Sequence, residues 1–323
     1  MILWNRGGVL IADYRCGLRD LHGRVRQTSA LDDVFGIVRK SPEVRWGRAP
    51  VTTAYKLATQ PRTRFEATFR ESLRPSGAES YAHHDDGTAA FFINHYGKGQ
   101  AVYLNTDLYV YEEMRRRGAE ADVRELFRRM ILELANLYAA FLPQHEHGYP
   151  LSHIEVTRFR DGETQYFGVL PDFGVYDKSP IVASLPFPEA MHIYDVRRHR
   201  YLGKGGSLKQ TLSPGKPEMY AAMPYQVQGV SSRCPQTVQR GEPVRIELAI
   251  DASTDHLGPH AVRLQVVYPD GTEPEYLAKT LYLPHGRASF SFVPALNAPA
   301  GLWQVSVSEC VSGKKAQEEF VVK

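Results

Sequence analysis

The sequence predicts a multidomain protein in which an α/β region is followed by all-β modules. Its 323 residues leave room for two or three domains. An apolar strand pattern and a long amphipathic helix both precede Pro143, whereas the rest of the chain alternates short apolar runs with turn signals. A content of 43% apolar and 23% charged residues is typical of a folded, soluble chain and excludes disorder as its main state.

The α/β region begins with a predicted strand and a short helix. The run from Val9 to Ala12 is continuously apolar, as in a strand that is buried on both faces of a parallel sheet. Ser29, with Asp32 three residues later, suits the start of a helix, and Gly36 suits its C-terminal cap. These signals predict a helix of about two turns.

A hairpin and a long helix complete this region. Strands are predicted from Ala89 to Asn94 and from Gln100 to Asn105, because the intervening glycines supply the backbone conformations of a turn. Apolar residues then recur on one helical face from about Ala119 to Ala140, and Pro143 ends the pattern. We expect this apolar face to cover the domain's own sheet.

Two β modules follow a polar linker at 144–150, so the predicted domains are 1–143, 150–226 and 227–323. In the middle module, Asp161-Gly162 between two alternating runs predicts a type I′ hairpin. The last module contains about seven short strands at the spacing of an immunoglobulin-like β-sandwich, with Trp303 in its core.

Charge and hydropathy exclude several classes of partner. Lys plus Arg number 39 against 36 Asp plus Glu, a formal charge of +3 that is too balanced for a dedicated nucleic-acid binder. The apolar runs are far shorter than the roughly 18 residues of a membrane span. The first residues lack the pattern of a secretory signal, so the default expectation is a cytoplasmic protein, and a true start upstream of Met1 would leave the localisation open.

The residues after Gly7 resemble a known family. Gly7-Gly8-Val9-Leu10-Ile11-Ala12-Asp13-Tyr14-Arg15-Cys16-Gly17, Ala30-Leu31-Asp32-Asp33-Val34-Phe35-Gly36-Ile37 and Tyr96-Gly97-Lys98-Gly99-Gln100-Ala101-Val102-Tyr103-Leu104-Asn105 are similar to the trimerisation domain of the β-galactosidases of glycoside hydrolase family 42. The resemblance extends over roughly residues 7–140. It implies a class I glutamine-amidotransferase-like, flavodoxin-like α/β fold without amidotransferase activity, which normally follows a catalytic barrel.

The start of the chain departs from this pattern. In the family, further units of the sheet precede the glycine-led strand, whereas only six residues precede Gly7 here. Two interpretations remain: an internal boundary within a longer polypeptide, or a domain with an incomplete sheet. An uncovered strand edge promotes aggregation, which favours the first interpretation.

Cys16 is the first candidate for chemistry, because the amidotransferase fold uses a cysteine nucleophile after a strand. The tight turn around such a nucleophile needs small flanking residues, but Tyr14 and Arg15 precede Cys16 here. We therefore expect a half-buried loop thiol. Cys234 and Cys310 are expected to be unbridged packing thiols, although a disulfide between two strands remains an alternative.

The remaining candidates favour structural roles. The sequences His83-His84-Asp85-Asp86 and His145-Glu146-His147 lack a recognised metal-ligand spacing, which favours a polar turn and a solvated linker. Asp32 and Asp33 are adjacent on a short helix, unlike a glycosidase acid pair. The arginines at 115–117 and 128–129 are expected to pair with nearby glutamates. Trp4 and Trp46 cannot be placed from the sequence.

These observations predict no catalytic, cofactor-binding or metal-binding residue. The expected function is that of a non-catalytic C-terminal region of a glycoside-hydrolase-like protein, serving oligomerisation and domain support. The resemblance implies trimers, with an interface at the edge of the strand at Val9–Ala12 or in the loops at 14–28 and 41–62. The alternative is a carbohydrate-binding module acting through exposed aromatics of the β-sandwich.

Overall fold

The computed structural model describes residues 7–53, 63–84, 87–106, 108, 111–172, 179–188 and 190–323, and of residues 41–53 and 63–70 it describes the backbone. Trp4 and the side chain of Trp46 lie outside these residues. The chain divides into two compact units, one built from residues before Phe141 and the other from Phe141 onward. Each unit is described by itself.

The first unit is built around a six-stranded sheet with the order β1-β6-β5-β4-β2-β3. Its strands are β1 Val9–Ala12, β2 Ile37–Thr53, β3 Thr63–Pro75, β4 Glu79–His84, β5 Ala89–Tyr96 and β6 Gly99–Leu104. The predicted hairpin is confirmed as β5 and β6, with Gly97 at φ 61° in the turn. The side chains of Phe91, Phe92 and Ile93 in β5 alternate between the two faces, as the period of a strand requires.

Strand β1 differs from its prediction. It pairs in parallel with β6, from Val9 opposite Gln100 to Ala12 opposite Tyr103, and it lies at the end of the sheet. All four of its residues are half-buried. The other pairings among the described strands of this sheet are antiparallel. Among the described strands, β1 is therefore at the edge of a mixed sheet rather than inside a parallel one. An apolar run shows that a strand can be buried, but the neighbouring strands and covering layers decide how far it is buried.

Helices cover both faces of this sheet. The helices are α1 Asp32–Phe35, α2 Tyr111–Arg116 and α3 Ala121–Arg129, and a π-helical turn continues α3 over Met130–Leu134. Val123 and Leu126 of α3 pack with Phe91 and Val102 on one face. On the opposite face, α1 places Phe35 against the sheet. The core thus consists of a sheet between two helical layers.

The long predicted helix is shorter than expected. Its helical backbone ends at Leu134, and Asn136 has a φ of 49°. Leu137 and Tyr138, which continue the apolar periodicity, are 61% and 75% exposed. Because the helix ends and Asn136 takes a left-handed conformation, helical periodicity no longer places the later apolar residues, and they do not pack on the sheet.

The second unit begins with a module of two sheets, ordered β13-β10-β7 and β12-β11-β14-β9-β8. The strands are β7 Gln144–His145, β8 Ile154–Asp161, β9 Thr164–Pro171, β10 Ile181–Pro186, β11 His192–Asp195, β12 Arg200–Lys204, β13 Ser207–Leu212 and β14 Glu218–Met223. Phe167 contacts Phe141 and Phe187 in its core, with ring centroids 4.5 and 5.3 Å apart. These rings pack together with buried aliphatic side chains such as Leu185, Ile193 and Leu212 to form the core of the module.

The predicted hairpin between β8 and β9 forms with a different turn. Asp161 pairs with Thr164, so the two loop residues are Gly162 and Glu163. Only Gly162 of the two has a positive φ, 57°, whereas a type I′ turn needs positive φ at both positions. The prediction of type I′ was wrong, and a glycine at the first loop position favours type II′.

The rest of the unit is a β-sandwich of sheets β15-β17-β20 and β16-β22-β21-β18-β19. Its strands are β15 Val227–Arg233, β16 Thr237–Val238, β17 Val244–Ala252, β18 His260–Val267, β19 Lys279–Leu283, β20 Arg287–Phe292, β21 Gly301–Glu309 and β22 Lys315–Val322, with a 3₁₀ turn at Glu275–Leu277. Trp303 is fully buried between the sheets, and its Nε1–H donates to the Pro299 carbonyl at 2.9 Å. The predicted core position of this tryptophan is confirmed.

All three cysteines are free thiols, so Cys234 and Cys310 are not bridged. Among the described residues, none of the helices has the length and apolar character needed to span a bilayer.

Candidate functional site

Four buried polar side chains meet where β1 and β6 end at their carboxyl termini. They are Asp32 of α1, Arg39 of β2, Glu71 of β3 and Tyr103 of β6, and we call them the Arg39 cluster. The carboxyl ends of parallel strands are where open α/β sheets commonly place their functional groups. This cluster is therefore the first place to look for chemistry in the first unit.

Arg39 connects the members of the cluster. Its Nε–H donates to both carboxylate oxygens of Asp32, at 2.9 and 3.2 Å. Its Nη1 donates to Glu71 Oε1, and its Nη2 lies 3.4 Å from the Tyr103 hydroxyl. That hydroxyl donates in turn to Glu71 Oε2. One guanidinium thus compensates two carboxylates that are hidden from water, as a buried charge requires.

The cluster also holds the loop that follows β1. The backbone N–H of Arg15 donates to the Tyr103 hydroxyl at 2.8 Å and to Glu71 Oε2 at 3.2 Å. Arg15 has a φ of 63°, an unfavourable backbone conformation for a residue other than glycine. At the other end of the loop, the Ser29 N–H donates to Asp32 Oδ2 at 2.8 Å. The cluster offsets the backbone strain at Arg15 and fastens both ends of the loop.

Burial and charge together define the protonation of this cluster. Burial raises the pKa of the Tyr103 hydroxyl well above its usual range, and the Glu71 charge adds to the effect. Burial disfavours the charged form of Arg39, but the Tyr103 and Glu71 oxygens outweigh it and raise the guanidinium pKa. Burial also raises the pKa of Asp32 against the opposing Ser29 N–H and Arg39. Tyr103 therefore stays neutral and Arg39 charged.

Asn105 completes the site by hydrogen-bonding backbone groups of two strands. Its amide Oδ1 accepts from the Glu71 N–H at 2.7 Å, and its Nδ2 donates to the carbonyls of Glu71 and Ala89 at 3.0 and 3.1 Å. The side chain is fully buried. One amide thus satisfies backbone groups of β3 and of β5, two strands that are not neighbours in the sheet.

Cys16 lies in the fastened loop but is poorly suited to nucleophilic attack. Burial raises the pKa of its thiol, Asp13 raises it further, and Arg39 lowers it. The Ser29 hydroxyl is bonded to the Cys16 carbonyl, at 2.7 Å, rather than to its sulfur. Because the thiolate is the reactive species, these surroundings support the expectation of a packing thiol.

The other residues singled out in the sequence fall at separate places. Asp33 is exposed, unlike Asp32, so the two carboxylates share no site. Asp85 and Asp86 lie outside the described residues. His145, Glu146 and His147 form a turn at the start of the second unit, with their donor atoms within 4.8 Å of one another.

The arginine-rich stretches form local ion pairs, as predicted. Arg116 pairs with Glu112 and Arg117 with Glu113, both at i, i+4. Arg128 and Arg129 share Glu125, whose pKa is held at about 2, first by its hydrogen bond from Arg128. These pairs leave the helices with a solvated, charge-balanced face.

A second buried network, which sequence reasoning missed, lies in the sandwich. Tyr225, His260, Glu309 and Ser312 form it, and we call it the Glu309 network; His260 and Glu309 have fully buried side chains. The Gly258 N–H donates to the Tyr225 hydroxyl at 2.9 Å, and that hydroxyl lies 2.9 Å from His260 Nε2. His260 Nδ1 lies 3.3 Å from Glu309 Oε1.

These contacts fit a His260 that carries its ring proton on Nδ1. Because the Tyr225 hydroxyl accepts from Gly258, it can donate its own proton to Nε2, which leaves the proton of the ring on Nδ1 facing Glu309. The other Glu309 oxygen accepts from the Ser312 N–H and hydroxyl, both at 2.6 Å. Burial opposes the charge of Glu309, but the His260 and Ser312 hydrogen bonds outweigh it and lower its pKa.

The outer face of sheet β15-β17-β20 forms a polar trough of about 610 Å³. Charged and small side chains line it, Arg233, Arg245, Glu247, Asp251 and Arg287 around Ser231, Ala249 and Ser289. None of the residues lining the trough is aromatic. It therefore lacks the ring platform on which a sugar would stack.

The first unit is a mixed sheet covered by helices, in which buried charges fasten a loop. The family model of the beta-galactosidase trimerisation domain matches residues 3–138. The resemblance seen in the sequence is thereby confirmed for this segment, and it associates the segment with glycoside hydrolases. No curated protein matches the chain in sequence.

The solved structures that match this chain do so with low sequence identity and low TM-scores. Superoxide reductase (neelaredoxin) from Ignicoccus hospitalis is 10% identical with a TM-score of 0.24, over 30% of this chain and 82% of that one. Exo-beta-1,4-mannosidase Op5Man5 from Opitutaceae bacterium strain TAV5 is 17% identical with a TM-score of 0.28, over 39% and 21%. A beta-glucosidase from Listeria innocua is 16% identical with a TM-score of 0.23, over 38% and 19%. The chain thus spans about a fifth of these two glycosidases, and such scores carry no argument about function.

Proposed function

We propose that this chain is a non-catalytic, C-terminal region of a glycoside-hydrolase-like protein that serves oligomerisation and domain support. The observation that carries the proposal is the match of residues 3–138 to a trimerisation domain. Residues 1–143 would form the amidotransferase-like oligomerisation domain. Residues 150–226 would be a small antiparallel module and residues 227–323 an immunoglobulin-like sandwich that supports it.

The surface of the first unit supports an interface near β1. Among the described strands, β1 lies at one edge of its sheet, and its residues are half-buried. In the loop after it, Leu21 is 100% exposed and Val25 is 45% exposed. Apolar side chains on a loop that is fastened at both ends are suited to association, because little conformational entropy remains to be lost. A second copy of the chain is the partner that the domain type implies.

The test is the mass of the purified chain by gel filtration with light scattering, over a range of concentrations. We expect an oligomer, trimeric by resemblance, that Leu21→Asp shifts toward the monomer because an aspartate would be desolvated at the interface. Leu21 is fully exposed, so the substitution should leave the fold intact. Leu296→Asp is the matched control, since Leu296 is 79% exposed in the sandwich.

A concentration-independent monomer for the parent chain contradicts the proposal. If Leu21→Asp and Leu296→Asp lower the measured oligomer mass equally, the proposed position of the interface is wrong, although the proposal that the chain associates still stands.

The proposal assigns no catalytic role to this chain. The fold comes without amidotransferase activity in the family, and the raised pKa of Cys16 supports the same conclusion here. Any glycosidase acid and nucleophile would belong to a longer parent protein. The alternative of a carbohydrate-binding sandwich gains no support from the trough, whose lining lacks aromatic rings.

A further inference from the structure

Two histidines and a glutamate converge on a tight turn at the start of the second unit. His145, Glu146 and His147 each offer one donor atom, and all three atoms lie within 4.8 Å of one another. The imidazole rings of His145 and His147 are stacked with their centroids 5.4 Å apart, and His147 Nε2 lies 3.9 Å from Glu146 Oε1. Spacing along the sequence gave no sign of this convergence.

The backbone fixes the turn that carries these side chains. The Gly148 N–H donates to the His145 carbonyl at 2.8 Å, and the His145 N–H donates to the Tyr149 carbonyl at 2.7 Å. Gly148 supplies a φ of 85°, and His145 is anchored in β7 opposite Ala183 of β10. His145 therefore opens the turn, and Glu146 and His147 occupy its two central positions. A ligand would meet a preformed backbone and need to order only side chains.

The three side chains are accessible to an ion. His145 is half-buried, and the side chains of Glu146 and His147 are 46% and 72% exposed. Their small separations let modest rotations bring the donors to the roughly 2.0–2.2 Å that zinc takes to imidazole nitrogen and carboxylate oxygen. No described contact ties these three donor atoms to other partners that such a rotation would have to break, apart from the Glu146–His147 pair itself.

We propose that His145, Glu146 and His147 form a binding site for one divalent transition-metal ion, zinc in the first instance. Two imidazoles and one carboxylate are a zinc donor set, with water completing the tetrahedron. Imidazole donors favour zinc, copper and nickel over magnesium and calcium, which select oxygen donors. The site belongs to the second unit, whereas the Arg39 cluster belongs to the first, and the proposal does not depend on the proposed oligomerisation.

The test is titration of the untagged full chain with zinc chloride by calorimetry, under reducing conditions. We expect one ion per chain and no heat with magnesium chloride. His145→Ala and His147→Ala should each weaken binding by about tenfold or more, since even a group that only orients a metal ligand contributes about that much. His285→Ala, at another exposed histidine of this unit, is the matched control and should bind as the parent does.

Cobalt provides a second readout, because a cobalt–thiolate bond absorbs strongly and a cobalt–imidazole bond does not. Binding without thiolate absorption is expected. Binding that persists in a His145→Ala/His147→Ala double variant, or that shows thiolate absorption, overturns the proposal by assigning the ion elsewhere. Absence of zinc binding by the parent chain overturns it directly. Far-ultraviolet circular dichroism of each variant verifies that it is folded.

Discussion

At the scale of single residues, Arg39 is the charge that compensates the buried carboxylates of the first unit. It is the guanidinium between the carboxylates of Asp32 and Glu71, and its own side chain is fully buried. A buried ion group contributes little relative to an apolar core, but removal of one partner leaves a charge without compensation. Loss of Arg39 should therefore destabilise the first unit much more than loss of an exposed, ion-paired arginine.

We predict that Arg39→Leu destabilises the first unit by about 3–5 kcal/mol, the cost of breaking a buried pair. Hydrogen exchange of the β5 and β6 amides, followed by mass spectrometry, reports on this unit alone. Adding Glu71→Gln should recover part of the loss, because it removes one of the uncompensated charges. Arg116→Leu is the control: its pair with Glu112 is about two-thirds exposed on both sides, so a change below about 1 kcal/mol is expected.

Glu309 makes the stability of the sandwich dependent on pH. Its pKa in the folded protein lies below the ordinary value. The unfolded state therefore takes up a proton first, so the stabilisation is complete above about pH 5 and is lost as pH falls through the folded pKa. The Ser312 and His260 contacts that stabilise the carboxylate are the same contacts that acid removes.

We predict that Glu309→Gln lowers stability at neutral pH and flattens the acid limb of the curve of stability against pH. Urea unfolding between about pH 3 and 7 measures both effects when it is followed by tryptophan fluorescence in a background with Trp4→Phe and Trp46→Phe, because the remaining Trp303 lies in the sandwich core. Glu275→Gln changes an exposed carboxylate and should leave the acid limb unchanged. An acid limb of equal slope in Glu309→Gln and the parent would contradict the assignment.

At the scale of elements, helix α1 shows how one turn of helix can be stable. It has four residues, far fewer than an isolated helix needs. Asn94 Nδ2 donates to the Val34 carbonyl at 2.9 Å, and Gly36 at φ 60° returns its N–H to the last turn. Phe35 is fully buried and packs edge-on against the ring of Tyr103, 5.1 Å between centroids. Capping and tertiary packing replace helix length.

We predict that Gly36→Ala destabilises the first unit by about 2–3 kcal/mol, more than the 1–2 kcal/mol of a left-handed alanine alone. An added Cβ would lie 2.7 Å from Asn94 Cγ and 2.8 Å from the Ala78 backbone nitrogen. Gly23→Ala isolates the conformational part of the cost, because Gly23 has φ +76° and nothing within 4 Å of an added Cβ. Equal losses in the two variants, measured by hydrogen exchange, would show that the contact with Asn94 is unimportant.

At the scale of the whole molecule, the two units are stabilised by different means. The first buries apolar residues between a sheet and two helical layers and adds the buried ion pairs of Arg39 with Asp32 and Glu71. The second is built almost wholly from antiparallel strands, several of them hairpins, and its cores mix aromatic with aliphatic side chains both in the module and around Trp303 in the sandwich. Hairpins use local turn chemistry, so they were the elements most readily predicted.

The sequence by itself determined the elements whose signals are local. Glycines at Gly97 and Gly36 specify positive φ, alternation specifies the strands of the sandwich, and the spacing of arginine and glutamate specifies the helical ion pairs. It also carried the family resemblance of the first unit, because each of those motifs is a short contiguous run of residues. These features depend on neighbours within a few residues, and such neighbours are visible without a fold.

Tertiary structure alone decided the features that join distant residues. The Arg39 cluster unites positions 32, 39, 71 and 103, and the Glu309 network brings position 225 to 260 and 309. The end of the helix at Leu134 and the edge position of β1 likewise depend on which surface is left to cover each side chain. The sequence shows whether a residue is apolar or charged. Whether that residue is buried or paired depends on the neighbours that the fold brings to it.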